Sequence, residues 1–222
     1  MKLSTLLEGV RGAISIGFTI VFSFALRGWY SHWGMKPKEA SRSLPGDEYV
    51  PRPKSEINGA ILVNASPQQI WPWFVQLGCQ RGGWYAYDLL DNGGQPSADR
   101  IIPEFQHLAV GDVIKAMPNG SFGFPVAAFE PDRFLTLGGT MDTKTGQPGY
   151  ATNPPEQYFS GDQTFYMQPL APNITRVIFR MRIDWNETRM NNFIYRGFIE
   201  PISFVMGRKM LINIKKRAEN NR

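Results

Sequence analysis

A short aromatic and charged segment near the middle of the chain holds the side chains best suited to chemistry. Within eight positions the sequence reads RGGWYAYD, which brings together Arg81, Trp84, Tyr85, Tyr87 and Asp88. Aromatic rings can form the walls of an apolar pocket, and a guanidinium can bind an anionic or carbonyl group. Apolar pockets with a few convergent polar groups are the usual form of a small-molecule site. We therefore expect this loop to form the mouth of a ligand-binding site.

The charged residues of this region also fit a structural role. Asp88 can cap a short helix or pair with Arg100, and Asp99, Arg100 and Glu104 can hold a long loop against a sheet. The aromatic residues can equally pack in a core. In the ligand-binding interpretation, Arg81 or Arg100 would meet the polar group of the ligand. Both interpretations stay open at the level of sequence.

If this segment is catalytic, particular residues are candidates for the acid, the base and the carbonyl-polarising group. In a proton-transfer reaction, Asp88 or Glu104 would act as general acid or base, and Tyr85 or Tyr87 would polarise a carbonyl. His107 has no carboxylate and nucleophile at a catalytic spacing, so we expect it to be a surface or hydrogen-bonded residue. No nucleophile elbow, HExxH or phosphate-loop pattern occurs in the sequence.

Metal and cofactor chemistry finds no support in the sequence. The chain has one cysteine and two histidines, and their spacing does not fit a zinc cluster. The single Cys79 rules out a disulfide within the chain, and we expect it to be a small buried residue. We predict neither a metal nor a cofactor.

The elements that would position these residues begin near Ile57. Residues 60–63 form an apolar run typical of a strand. Ser66 and Pro67 then match an N-cap and a first helical residue, and the helix they start should end at Gly78. Pro72 lies inside it and is expected to bend it.

The rest of the chain predicts an antiparallel meander followed by a long helix. Residues 187–219 have a helical apolar period, with a kink expected at Pro201. A sheet with one apolar face needs a cover, and only this helix is long enough. The sheet should curl around it and enclose a cavity, so the inward residues Phe198, Ile202 and Met206 are candidate ligand contacts. The predicted strands are GDVIKAM, FPVAAFE, FLTLGG, QTFYMQPL and NITRVIFRMRID.

The positive charge lies at the two ends of the chain. The formal net charge is +5 over 222 residues, yet residues 46–206 contain 12 basic and 16 acidic residues. A nucleic-acid-binding domain generally has a basic face on its folded body. We therefore exclude nucleic acid as a partner. Basic residues on the last helix can complement the helix dipole or meet anionic lipid headgroups; they are Arg208, Lys209, Lys215, Lys216, Arg217 and Arg222.

An apolar segment precedes the domain. Between Arg11 and Arg27 lie 15 uncharged residues, followed by Trp29, Tyr30 and Trp33. As a helix this run is about 22 Å long, so it crosses a bilayer only if it extends into the aromatic residues. A retained single-pass membrane anchor, a cleaved secretory signal and an interfacial amphipathic helix are the three interpretations, and we expect the anchor.

The N-terminal apolar segment also sets the predicted domain boundaries and the side of the membrane on which the domain lies. We expect a membrane segment at residues 1–34, a turn-rich linker at 35–56 and a folded domain at 57–222. Lys2 and Arg11 precede the apolar run, whereas Arg27, Lys36, Lys38 and Arg42 follow it. This excess favours the cytoplasmic face for the domain.

Several of these motifs resemble one protein superfamily. The runs ILVNASPQQIWPWFVQLG, RGGWYAYDLLDN and SADRIIPEFQHLAVGD are similar to the SRPBCC (START-like, helix-grip) superfamily, and most closely to a bacterial, membrane-anchored subgroup of it. The resemblance covers Trp33 to about Asp112 well and the remainder more loosely.

The resemblance implies an α+β helix-grip fold, in which a curved antiparallel sheet wraps around a long C-terminal helix. It also implies a cavity between the two that accepts a hydrophobic small molecule or lipid. A minority of such proteins are cyclases or dehydratases, so an enzyme acting on a polyketide-like or other apolar carbonyl substrate is the alternative. Since fold alone does not give function, the residues of the cavity must decide.

Overall fold

The protein is an α+β structure with one sheet and seven α-helices among the residues described. The computed structural model describes residues 3–149 and 152–220. Lys2 and Arg222, which belong to the basic ends of the chain, lie outside them. The helices are α1 (Leu3–Val21), α2 (Ser23–Tyr30), α3 (Pro37–Ala40), α4 (Pro67–Val75), α5 (Asp88–Asp91), α6 (Arg189–Ile194) and α7 (Glu200–Asn220). The strands are β1 (His32–Trp33), β2 (Ser55–Val63), β3 (Val113–Lys115), β4 (Gly123–Glu130), β5 (Phe134–Asp142), β6 (Pro148–Gly149), β7 (Tyr158–Ala171) and β8 (Ile174–Trp185).

The sheet runs in the order β1-β2-β8-β7-β5-β4-β3, with β6 added beside β5. Each pairing is antiparallel except that of β1 with β2, which is parallel. The expected antiparallel sheet is therefore confirmed for its main part and becomes mixed at one edge. Gly138 of β5 has a φ of +142°, and a side chain there would overlap the carbonyl oxygen of Gly161. Close approach of these two strands thus requires glycine.

The long helix α7 covers the inner face of the sheet. Side chains alternate between faces along a strand, and the inner set includes Phe165 of β7 and Phe179 of β8, whose ring centroids are 5.4 Å apart. Phe74 of α4 stacks on Phe165 at 4.8 Å. Gly207 of α7 lies against Phe179, where an added Cβ would come within 2.9 Å of the ring. The predicted helix-grip arrangement, a sheet around a C-terminal helix, is thereby confirmed.

Helix α4 begins and ends close to the predicted residues. The N–H of Ser66 donates to the side-chain oxygen of Gln69 at 2.9 Å, and Pro67 is the first helical residue. The helix contains Pro72 and ends at Val75. Gly78 follows with a φ of +110°, a conformation that glycine adopts without strain.

The C-terminal helical region is divided at a different place from the one expected. A π-helical turn, Tyr195–Ile199, separates α6 from α7 and ends two residues before Pro201. Proline lacks the N–H that would continue the α-helical pattern, and π-helix occurs mostly as single turns within α-helices. The irregularity therefore lies one turn before the proline.

Residues 35–56 pack on the outer face of the sheet. Arg180 of β8 is buried and donates to Asp47 at 2.8 Å, and to the carbonyl oxygens of Ala40 and Arg42 at 3.1 and 2.9 Å. Leu44 is buried in a small cluster on the same face. The segment is thus tied to the sheet, and its role as a linker stays a prediction.

Helix α1 docks on the domain through small residues. A side chain at Gly9 would overlap Leu89, and one at Gly12 would overlap the ring of Tyr87. On α2, Arg27 donates to the buried carboxylate of Glu200 at 2.9 and 3.1 Å. The N-terminal helices therefore lie against α5 and α7 in this structure. By length and composition, α1 could also cross a membrane.

Asp162 is a buried carboxyl without a partner on the outer face. It lies in β7 opposite Arg182 of β8, and neither of its oxygens has a hydrogen-bond partner among the described residues. Burial raises the pKa of Asp162 to about 8, and the charge of Arg182 only partly opposes this shift. The carboxyl is accordingly neutral at pH 7.

The stability of the protein should fall as the pH rises through the pKa of Asp162. A carboxyl whose pKa is raised by folding stabilises the native state fully below its ordinary pKa of about 4, and this contribution is lost as the pH passes about 8. Asp162→Asn removes the titration. We expect its stability to match that of the wild type near pH 4 and to exceed it by about 5 kcal/mol at pH 8, because the ionisation linkage amounts to about 1.4 kcal/mol for each pH unit between the two pKa values. Urea unfolding at both pH values, with the exposed Asp99→Asn as control, checks this; a difference independent of pH would contradict it.

Candidate ligand-binding site

Two apolar chambers lie between the sheet and the C-terminal helical region. Their volumes are about 280 and 370 Å³, close to the lower end of the range of about 300–1,000 Å³ for small-molecule sites. The chambers share four lining residues and therefore adjoin each other. The shared residues are Phe124, Gln163, Met181 and Ser203.

The first chamber is lined by α7, the inner face of the sheet and the loop after α4. Helix α7 contributes Ile202, Met206 and Met210, spaced so that they share one face of the helix. Methionine side chains adapt to irregular apolar shapes. The remaining apolar lining comes from Trp84, Ala86, Ala116, Phe124, Phe179, Met181 and Gly207.

The second chamber depends on the π-helical turn. Tyr195 and Ile199 of this turn line the chamber. Tyr195 stacks between Trp185 and Phe159, with ring centroids 4.6 and 5.5 Å apart. The Trp185 indole N–H donates to Asn192 at 2.9 Å and fixes one wall of this stack. An extra residue in the helical turn therefore aims Tyr195 at the sheet.

Three polar side chains line the first chamber, and none of them forms a side-chain hydrogen bond or ion pair within the described residues. Asp91, at the end of α5, has two buried carboxylate oxygens without a hydrogen-bond partner. Gln163 of β7 and Ser203 of α7 also line the chamber and make no side-chain hydrogen bond within the described part of the chain. No cationic side chain is among the described lining residues of either chamber.

Asp91 is the titratable group of the first chamber. Burial raises the pKa of Asp91 to about 7, and the charge of Asp88 raises it further. The nearby backbone N–H groups of Tyr87, Asp91 and Ala86 partly oppose the shift, although none of them forms a hydrogen bond of normal geometry with the carboxylate. The thiol of Cys79 donates to the backbone oxygen of Asp91 at 3.1 Å, and burial raises the pKa of Cys79 as well. The carboxyl is therefore close to half protonated at neutral pH.

Three of the residues predicted to contact a ligand line the first chamber. They are Trp84, Ile202 and Met206. Trp84 is held by its indole N–H, which donates to the carbonyl oxygen of Lys115 at 3.2 Å, and its ring meets Phe124 edge-on at 6.0 Å. Their contact with a ligand stays a prediction.

Arg81, Tyr85 and Asp88 are engaged within the loop and line neither chamber. Arg81 donates to the carbonyl oxygens of Val75 and Phe105 at 3.0 and 2.9 Å. Tyr85 is buried and accepts from Gln76 at 2.6 Å, and burial raises the pKa of Tyr85 to about 12. Asp88 accepts from both the N–H and the hydroxyl of Ser97. These contacts match the loop-holding interpretation.

The remaining candidates lie farther from the two chambers. Tyr87 lines a separate groove between α1 and α7. Phe198 is partly exposed and packs edge-on against Phe193. Arg100 and Glu104 are exposed. A catalytic role for Asp88, Glu104 or Tyr85 would thus act outside the chambers that this structure forms.

Sequence reasoning missed the polar residues of the chamber. Asp91 stands three residues after Asp88 in the run DLLD, so the two carboxyls occupy neighbouring positions on one helical turn. Ser97 donates to Asp88, whereas Asp91 lines the cavity. Gln163 lies in a predicted strand and Ser203 in the predicted C-terminal helix, each beside apolar residues. A polar residue in such a run was the one sequence pattern that could have indicated a polar group facing the cavity.

Comparison with known proteins gives likeness in structure only. No family model and no curated protein matches the sequence. A START superfamily protein from Mycobacterium smegmatis has a TM-score of 0.39 and 13% identity, covering 75% of this chain and 99% of its own. A Mesorhizobium loti protein has a TM-score of 0.42 and 13% identity, with coverages of 76% and 99%. The di-domain ARO/CYC protein BexL of the BE-7585A biosynthetic pathway has a TM-score of 0.41 and 14% identity, with coverages of 76% and 48%.

The architecture itself decides the fold class. An antiparallel sheet with one parallel edge strand wraps a 21-residue C-terminal helix, and the chambers lie between them. The chain therefore has an α+β helix-grip fold, with a curved sheet around a long C-terminal helix.

Proposed function

We propose that the protein binds a hydrophobic small molecule or lipid between the sheet and α7. Binding takes place at a membrane surface, and the protein does not alter the ligand chemically. The observation that carries the proposal is the pair of adjoining apolar chambers. Burial of apolar ligand surface contributes roughly 25 cal/mol of favourable free energy per Å². A ligand that fills the two chambers would therefore gain affinity without any charged contact.

Native mass spectrometry of the full-length protein, purified from membranes in mild detergent, tests this proposal. We expect a population that carries one apolar molecule, which solvent extraction then identifies. A protein that carries nothing and takes up no added apolar compound would contradict the proposal.

A cyclase or dehydratase acting on an apolar carbonyl substrate is the second candidate function. One observation favours it: Asp91 lines the first chamber with a pKa raised to about 7, the range in which a general acid or base works best. Comparison of the compounds extracted from wild type and Asp91→Asn separates the two functions. Identical compounds support binding, whereas a variant that accumulates an uncyclised isomer or a hydrated precursor supports catalysis.

The membrane contact that we propose is the outward face of α1. Its exposed apolar residues recur with helical spacing and lie opposite Gly9 and Gly12, which face the domain. Ser4, Glu8 and Arg11 form a polar flank between the two faces. The exposed apolar residues are Leu3, Leu6, Leu7, Val10, Ile14, Phe18 and Val21.

This arrangement favours a helix lying in the plane of the membrane. Helices with one apolar and one polar face lie at the interface, and α1 keeps its docking contacts there, including the Glu8–Lys209 ion pair. A helix that crosses the bilayer would have to give up these contacts. The positive charge of Arg27, Lys36 and Lys38 supports attachment at the cytoplasmic leaflet.

Cysteine labelling distinguishes the in-plane helix from a spanning one. Ser4→Cys lies on the polar flank of α1, Ser121→Cys lies in an exposed loop of the domain, and the native Cys79 is buried. In inside-out vesicles, we expect a membrane-impermeant maleimide to label both variants. Labelling of Ser121→Cys there, but of Ser4→Cys only from the opposite side, would show that α1 spans the membrane. Neither variant labelled in inside-out vesicles would place the domain on the other side.

A further inference from the structure

The first chamber contains a polar recognition cluster, made by Asp91, Gln163 and Ser203. The three residues come from α5, β7 and α7, so they enter the chamber from three different elements. Each side chain keeps its hydrogen-bonding capacity, because none is used within the described chain. Buried polar groups without partners destabilise a protein, and the two carboxylate oxygens of Asp91 are such groups. Gln163 and Ser203 are only partly buried, but they line the same chamber.

A bound ligand supplies the missing partners. We propose that the Asp91–Gln163–Ser203 cluster recognises a carbonyl or hydroxyl oxygen on an otherwise apolar ligand. The inference rests on the proposed binding function and narrows its ligand class. Gln163 and Ser203 are neutral groups that can each donate a hydrogen bond, and protonated Asp91 adds a third donor.

The surroundings of Asp91 favour its neutral form over an ion pair with a ligand. Asp88 is the charged residue that acts on it, and it is negative. On α7, Lys209 pairs with Glu8 of α1 and lies over Tyr87, and Arg217 lies over the Tyr85 ring. Burying a cationic ligand beside Asp91 would require desolvation of two charges, which is costlier than a neutral hydrogen bond.

Matched naphthalene probes test the proposal in the full-length protein held in lipid nanodiscs. The ketone 2-acetylnaphthalene presents an oxygen, whereas 2-ethylnaphthalene has nearly the same shape without it. At pH 6 we expect the ketone to bind about tenfold more tightly than the hydrocarbon. From pH 6 to pH 8 the ketone should lose about tenfold in affinity, because the donor form of Asp91 becomes the minor one, and the hydrocarbon should change little.

Two variants make the result specific to Asp91. Asp91→Leu should lose most of the preference for the ketone while it still binds 2-ethylnaphthalene, and Asp91→Asn should keep the preference but lose its pH dependence. Asp99→Leu, at an exposed carboxyl outside the chamber, should behave as the wild type. Empty nanodiscs give the partition of each probe into lipid, because the ketone and the hydrocarbon partition differently. For a single probe, comparison of the variants with the wild type in the same nanodiscs cancels this partition.

The possible outcomes separate this inference from the proposed function. Equal affinity for the two probes in the wild type, or a preference that survives Asp91→Leu, overturns the recognition cluster and leaves the binding function standing. Tighter binding of 2-naphthylmethylammonium at pH 8 than of the ketone at pH 6 overturns it in favour of a cationic ligand. Absence of binding by every probe contradicts the proposed function as well.

Discussion

Arg180→Met is expected to lower the free energy of unfolding by about 3 kcal/mol. Arg180 is 2% exposed, and its guanidinium donates to Asn58, Asp47 and the carbonyl oxygens of Ala40 and Arg42. Methionine fills a similar volume but removes the donor to Asn58 and to the carbonyl oxygens of Ala40 and Arg42. Asp47 keeps the N–H of Leu44 and its ion pair with Arg182. Urea unfolding monitored by tryptophan fluorescence measures the loss, and limited proteolysis should show new cleavage between residues 40 and 50.

Arg133→Met is the matched control for this substitution. Arg133 pairs with Glu130 at 2.6 Å, but both side chains are about half exposed, and ion pairs of that kind contribute little. We therefore expect its stability to be unchanged. An Arg180→Met protein as stable and as protease-resistant as the control would show that residues 35–56 are an independent linker.

Ser203→Phe is expected to reduce the affinity for apolar ligands by about a hundredfold or more, since a benzyl group would occupy space that the ligand needs. Ser203 lines both chambers from α7, so one substitution obstructs both. The stability of the folded state should change little, because the new ring enters an existing space rather than a packed core. The affinity for 2-acetylnaphthalene in nanodiscs measures the effect.

Lys216→Phe places the same ring on an exposed position of the same helix. It should bind the probe as the wild type does. Equal loss of binding in both variants would show a general effect of an added aromatic residue, and undiminished binding by Ser203→Phe would place the ligand outside the chambers.

The fold could be predicted where the sequence pattern is local. Ser66 and Pro67 mark the start of α4, and the apolar strand runs and the C-terminal helical period give the sheet and its cover. The parallel strand β1 was not predictable, since two residues carry no periodic pattern and their pairing with β2 depends on a distant segment. The π-helical turn before Pro201 likewise reflects packing of Tyr195 on Trp185.

The site could be predicted only in part, because neighbouring residues of one loop point in different directions. Trp84 lines the chamber, whereas Tyr85 has a positive φ of 56° and turns away to Gln76. Asp88 and Asp91 differ in the same way: Ser97 satisfies the first, and the second remains in the cavity. Composition placed these residues in one loop, and only the backbone path decides which of their side chains face the chamber.

Intermolecular NOEs between an apolar ligand and the methionine methyl groups test the central claim most directly. Met181, Met206 and Met210 line the first chamber, whereas Met117 and Met190 are exposed elsewhere. With methyl-labelled protein in nanodiscs, we expect 2-acetylnaphthalene to give NOEs to Met206 and Met210 and none to Met117 or Met190. NOEs confined to the exposed methionines, with the chamber methyl groups unperturbed, would contradict ligand binding between the sheet and α7.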